Sequence, residues 1–281
     1  GRVDVVLGNH ELMNVELDFR YVTDDGWDDW GDLEDEDEFS FIEKQMEALC
    51  YPTFMAERIC AFKPGGEITS KLADMPVVLQ VGDTVLVHGG IRKVHVEFGL
   101  EELNRVTRQW MLDERVSKPV VLSNGESPVW TRVYSTPCPQ EGSLAELSGV
   151  LAKLGASRMV VGHTPQAGIN AATCKDGAEV WRVDTGMSKG MMDGEAECLE
   201  VLKDGSVSIL TEAGRVPAAE RRVSREEGKG LEMPLKYKGV LLEDICDMDR
   251  GICTPQFPSE EFDAGDAEGD AVLLEDSVFK M

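Results

Sequence analysis

Four histidines occur in the chain, and three of them stand in one repeated context. His10, His88 and His163 each follow a short apolar run and lie in a loop containing glycine. Val3-Asp4-Val5-Val6-Leu7 leads into Gly8-Asn9-His10-Glu11, Thr84-Val85-Leu86-Val87 into His88-Gly89-Gly90, and Arg158-Met159-Val160-Val161 into Gly162-His163-Thr164-Pro165. Strand ends along one edge of a sheet are where α/β proteins assemble sites, and glycine lets backbone and ligand approach closely. Solvent exposure alone does not produce that placement for three histidines of four. The chemistry to test first is metal binding. His10-Glu11-Leu12-Met13-Asn14 carries Asn where a zinc-protease helix needs its second His, so that reading fails. Asn9, His88 and His163 instead offer one oxygen and two nitrogens from separate strand ends. That set suits Mn, Fe or Zn better than Ca or Mg, and three protein ligands with an open position describe a hydrolytic metal site.

The elements that must position these loops can be read from periodicity. Val3 to Leu7 reads as a buried strand. Residues 77–81 and 84–87 flank Gly82-Asp83, a hairpin signature. Strands are expected at 158–161 and 180–183, and a second hairpin at 197–202 and 206–210 around Lys203-Asp204-Gly205. Helical spacing occurs over 41–50, 100–116 and 144–154, the last closed by Gly155. Residues 16–39 are acidic and irregular with two tryptophans, which suggests an insertion or lid. The domain reading is 1–212 with 16–75 inserted in it, followed by an acidic, partly disordered appendage over 213–281.

Composition narrows the function classes. The 281 residues carry 28 Lys and Arg against 53 Asp and Glu, a net charge of −25. Asp24 to Glu38 and Glu260 to Asp276 hold 18 of those acids and no basic residue. The charge is therefore local, and it argues against nonspecific nucleic-acid binding, which needs a basic surface. No run of about 18 apolar residues exists to span a membrane. The seven cysteines are odd in number, scattered and without a CxxC pair, so a zinc ribbon or disulfide framework is not expected. A reducing compartment, cytoplasm or an organelle, fits that usage.

Taken in order, Gly8-Asn9-His10-Glu11, His88-Gly89-Gly90 and Gly162-His163 resemble the later motifs of calcineurin-like metallophosphoesterases of the PPP type. The flanking residues narrow the resemblance to the Shewanella-like protein phosphatases: Leu12-Met13-Asn14, Asp18-Phe19-Arg20-Tyr21-Val22, Val87-His88-Gly89-Gly90-Ile91, Val161-Gly162-His163-Thr164-Pro165-Gln166, and Val183-Asp184-Thr185-Gly186-Met187-Ser188-Lys189-Gly190. The resemblance covers about residues 1–212. It implies an α/β sandwich of two mixed sheets flanked by helices, and a phosphomonoester hydrolase acting on phosphorylated proteins or peptides, of the serine/threonine type. Asn9, His88 and His163 would bind the second of two divalent ions (Mn, Fe or Zn). An ion-bridged hydroxide would attack phosphorus in line. His10 would protonate the leaving oxygen, and Arg132 would grip the phosphate through its planar guanidinium. Asp184 either orients a metal-bound imidazole or caps the turn that follows it. Arg20 is a further candidate to face phosphate, and His95 lies off the pattern.

The family pattern begins with GDxHG and GDxxDRG, which supply the first-ion ligands, and neither occurs in this chain. The expectation is a chain truncated at its N-terminus, its first strands and any targeting segment upstream, with little activity of its own. Two other readings stay open: a dinucleoside polyphosphate hydrolase with the same metal centre, and a non-catalytic pseudophosphatase.

Overall fold

The computed structural model describes residues 1–23, 26–27, 40–44, 46, 53–136, 140–223, 236–237 and 240–241. The two acidic runs fall outside these apart from Gly26 and Trp27. The helices are α1 (Asn9–Val15), α2 (Ala56–Phe62), α3 (Glu67–Leu72), α4 (Lys93–Phe98), α5 (Leu100–Leu112) and α6 (Glu141–Leu154). The strands are β1 (Val78–Val81), β2 (Thr84–Val87), β3 (Arg158–Val161), β4 (Asn170–Thr173), β5 (Glu179–Arg182), β6 (Cys198–Val201), β7 (Val207–Thr211), β8 (Gly214–Pro217), β9 (Arg222–Val223) and the short pair β10 (Lys236–Tyr237) and β11 (Val240–Leu241).

A mixed six-stranded sheet runs in the order β1-β2-β3-β5-β4-β9. The β1–β2 hairpin turns at Gly82, whose φ of +59° a glycine adopts without penalty. β2, β3 and β5 are parallel neighbours, with Val87 opposite Val161 and Val161 opposite Arg182, so their C-terminal ends share one edge. A second sheet, β6-β7-β8, is an antiparallel meander.

The two-residue period of the strands sorts side chains between layers. Val85, Val87, Met159, Val161 and Val180 face α5 and α6, where Leu103, Trp110, Met111, Leu147, Val150 and Leu151 complete one core. Val160 and Trp181 point the other way and pack, with Ile169 and Ala171 at β4 of their own sheet, against Leu199 and Ile209 of the opposing sheet. The result is an α/β fold with two sheets and helices outside, as the resemblance implies. Helices cover one face of the larger sheet, and the meander covers the other.

Several local expectations shift. Residues 3–7 are not a strand: they enter no ladder, and their register contact is Leu7 N–H to the Pro76 carbonyl at 2.9 Å. Leu7 is buried, but Val3 and Val5 are 90% and 52% exposed. An apolar run becomes a buried strand only with neighbours on both sides, and the described residues supply one. α5 stops at Leu112 because Asp113 turns the chain, its carboxylate accepting from Arg115 N–H at 3.0 Å. Helix is present at 40–44 and 46, within the span where it was expected. β8 and β9 carry the sheets past residue 212. Two ion pairs hold that end down: Glu197 with Arg221 at 2.6 Å and Glu179 with Arg222 at 2.5 Å, Glu179 also accepting from Trp181 Nε1.

Candidate active site

The sheet register delivers the loops. His88 is the first residue past β2, and His163 stands two residues past the end of β3. Gly162 N–H donates to His88 O at 2.8 Å, so the parallel ladder continues into the loops and sets the two imidazoles side by side. β1 runs opposite to β2, so the Pro76–Leu7 bond brings Gly8 and Asn9 to the same edge. Gly8 then caps α1, its N–H donating to Glu11 Oε2 at 2.8 Å. A side chain at Gly8 would lie 3.1 Å from His88 Nδ1, so the two loops approach closely there.

Three donor atoms converge. Asn9 Oδ1 is 2.8 Å from His88 Nε2, and His88 Nε2 is 3.0 Å from His163 Nδ1. Asn9 and His163 are buried, and His88 is half-buried. As a hydrogen-bond network this is poor: an amide oxygen only accepts, and one N–H on His88 cannot point squarely at both neighbours. As a coordination edge it is good. Donors about 2.1 Å from one ion and at right angles stand about 3.0 Å apart. Burial, with the Arg132 and His88 charges behind it, pushes His163 down to about 2; burial also lowers His88, against the pull of Glu11 and Asp184. Both rings thus stay neutral, the form that ligates. Among the described residues no three or more His, Cys, Asp or Glu side chains surround a common point. The third donor here is an amide oxygen.

His163 is held at φ +63°, a left-handed conformation that costs an L-residue about 1–2 kcal/mol. Arg132 Nη1 donates to its carbonyl at 2.6 Å. Arg132 comes from the 127–136 turn, and the His88 loop is tied to that turn: Gly89 and Gly90 N–H both donate to Pro128 O, at 2.8 and 3.0 Å. A side chain on Gly89 would strike Thr131 O and Pro128 O, at 2.8 and 2.9 Å. Trp130 stands edge-on to the His163 ring at 5.6 Å. His10 is exposed on the second residue of α1, its ring 5.0 Å from Tyr21. Beside it lies a cavity of about 330 Å³ lined by His10, Asn14, Asp18, Tyr21 and Arg58 among others.

Of the expected site residues, the structure brings Asn9, His88 and His163 together, places Arg132 against His163, and leaves His10 open on the flank. Asp184 caps its turn, its Oδ1 accepting from Gly186 N–H at 2.9 Å, while its charge bears on His88. Arg20 commits its guanidinium to Asp18 in a fork of 2.9 and 2.6 Å. His95 is buried in α4, accepting from Arg92 N–H at 3.0 Å. The sequence reading did not single out Trp130, Tyr21 or the hydroxyls of Thr164 and Ser135. Tyr21 and Thr164 lay inside motifs already quoted, while nothing in the local sequence marks Ser135.

No protein-family model matches the chain. Shewanella-like protein phosphatase 2 of Arabidopsis thaliana is 38% identical over 237 residues, covering 75% of this chain and 60% of the relative. The chain belongs to the Shewanella-like protein phosphatases. Shewanella-like protein phosphatase 1 of Plasmodium berghei is 24% identical over 196 residues, 66% of this chain and 48% of that protein. An uncharacterized protein of Acanthamoeba polyphaga mimivirus is 30% identical over 246 residues, 75% and 92%. This member of the family thus spans 60% of the Arabidopsis relative's length and 48% of the Plasmodium one's. Its fold is similar to that of a cold-active protein-tyrosine phosphatase of a psychrophilic Shewanella species, with a TM-score of 0.54 at 22% identity over 78% of this chain and 59% of the other. Among its described residues no helix is long and apolar enough to cross a membrane.

Proposed function

We propose that this chain carries part of the centre of a metal-dependent phosphomonoester hydrolase acting on phosphoproteins. The observation that carries the reading is the 2.8 and 3.0 Å spacing of Asn9 Oδ1, His88 Nε2 and His163 Nδ1, with Arg132 pinned beside them. Those three atoms would hold one divalent ion, of Mn, Fe or Zn type by donor chemistry. When bound, such an ion supplies Lewis acidity, lowering the pKa of water and offsetting phosphoryl charge.

The chain's own groups do the rest. Arg132 presents a planar cation suited to two phosphate oxygens. The exposed His10 imidazole would give a proton to the departing oxygen. The family's first-ion motifs are not in these 281 residues, so a second ion would need ligands beyond those described.

The test is a titration of the chain with Mn followed by inorganic phosphate. We expect about one equivalent of Mn, phosphate binding that depends on it, and little turnover of an aryl phosphate. Phosphate affinity indifferent to Mn would overturn the reading. In a chain that also carries GDxHG and GDxxDRG, His10→Asn should keep its metal and slow poor leaving groups about 10²–10⁴-fold. No turnover from that longer chain would leave a phosphate-binding pseudophosphatase.

A second reading concerns the phosphorylated side chain. The cavity of about 330 Å³ beside His10 is wider than a serine methylene requires, and the Tyr21 ring offers an aromatic wall. That favours aromatic leaving groups alongside the serine/threonine class. Comparing phosphotyrosyl and phosphoseryl peptides of one sequence decides between them.

A further inference from the structure

Arg132 is held by a hydrogen-bond ring that begins and ends on itself. Its Nη1 donates to His163 O at 2.6 Å and to Thr164 Oγ1 at 2.9 Å. Thr164 Oγ1 and Ser135 Oγ are 2.6 Å apart, and Ser135 Oγ lies 3.3 Å from the carbonyl of Arg132. A guanidinium has no acceptor, so Thr164 must accept from it. With the one proton on Ser135 directed to Arg132 O, the proton on Thr164 goes to Ser135, and the ring closes with each hydroxyl both donating and accepting.

The ring is also anchored. Thr164 and Ser135 are buried. The buried Gln166 amide donates to Ser135 O at 3.1 Å and Thr164 O at 2.8 Å, clamping the 132–136 turn to the 163–166 loop. Asn170 Nδ2 holds the other end of that amide at 3.2 Å. Rotating the guanidinium would leave a buried hydroxyl oxygen without its charged donor, a costly loss.

We propose that Thr164 and Ser135 are positioning residues that fix the Arg132 guanidinium for a phosphate oxyanion, at a set distance from the ion held by His163. The proposal rests on the reading that Arg132 grips phosphate.

The experiment measures inorganic phosphate affinity and Mn affinity separately on the full 281-residue chain. Thr164→Val keeps the shape but cannot accept a hydrogen bond. It should weaken phosphate about tenfold, the worth of one charge-assisted hydrogen bond, with Mn affinity held within about twofold. Thr164→Ser should restore phosphate binding. Ser135→Ala should act in the same direction by about threefold, and it serves if Thr164→Val fails to fold. Phosphate affinity unchanged in both variants, a parallel loss of Mn affinity, or failure of Thr164→Ser to rescue would each overturn the proposal. Arg132→Ala separates the levels. If it weakens phosphate and Thr164→Val does not, only the positioning role falls; if it has no effect, the phosphate-grip reading falls with it.

Discussion

Two buried histidine clusters in this chain are built on opposite plans. Around His95, every partner is inside the protein. His95 Nδ1 accepts from Arg92 N–H, the Arg92 guanidinium reaches Glu146 at 3.1 Å and Glu126 at 2.5 Å, and Glu146 also caps Lys93 N–H at 3.0 Å. Donors and acceptors there nearly balance. Around His88 and His163 three polar atoms from three segments meet at 2.8 and 3.0 Å with at most one ring proton between each pair, and His163 Nε2 is buried without a hydrogen-bond partner among the described residues. The first cluster is complete as protein. The second is short of protons, since one N–H on His88 cannot serve both of its neighbours, and under the proposed reading a cation would complete it. Burial alone therefore does not distinguish a structural histidine from a ligand; the balance of protons does.

The largest expected effect comes from breaking the open cluster. His88→Ala or His163→Ala should lower divalent-ion affinity by at least about 100-fold, beyond the 10–100-fold typical of outer partners. His95→Ala should leave it within about twofold. Calorimetric Mn titrations of the three variants check this, and equal losses in all three would erase the contrast.

Stability should show the reverse order. His95→Ala strips a buried acceptor from Arg92 N–H and opens space in α4, at a cost of about 2–3 kcal/mol. His88→Ala, measured without metal, should cost less than about 1 kcal/mol, since it relieves crowded acceptors. Urea unfolding of the metal-free proteins gives both numbers.

An effect of at most similar size is a pH slope. Burial, aided by the Arg92 charge, holds His95 down to about 4 in the folded chain, against about 6.5 for a free imidazole. Between those values the unfolded chain binds the extra proton, so stability falls as pH drops from about 6.5 to about 4 and levels off below. The loss attributable to this group is at most about 3 kcal/mol. It should be absent from His95→Ala, which unfolding curves at pH 7, 5.5 and 4 can resolve.

Much of this arrangement is legible in the sequence because it is local. The bounds of β2 and β3, the hairpin turn at Gly82 and the cap at Gly155 follow from runs of a few residues. The three histidine loops announce themselves through apolar run, glycine and imidazole in succession. What was not legible depends on partners far along the chain. Val3 to Leu7 reads as a strand, yet whether it pairs depends on neighbours that its own residues do not specify. Ser135 reaches Thr164 across 29 residues, and Arg58 sits among Phe19, Trp27 and Phe62, at 5.6, 5.9 and 4.7 Å, from three separate segments. No periodicity encodes such meetings. Asn9 was legible as a donor only because two histidines shared its context.

The central claim is that Asn9 Oδ1, His88 Nε2 and His163 Nδ1 face one cation, so the two imidazoles must ligate through opposite nitrogens. Long-range ¹⁵N–¹H correlation spectra of the histidine rings, recorded with and without Zn, read this directly. With Zn the account predicts a ligated Nε2 and protonated Nδ1 on His88, and a ligated Nδ1 and protonated Nε2 on His163, with His95 unmoved. Zn that leaves both rings unchanged, or that binds both through the same nitrogen, would contradict it.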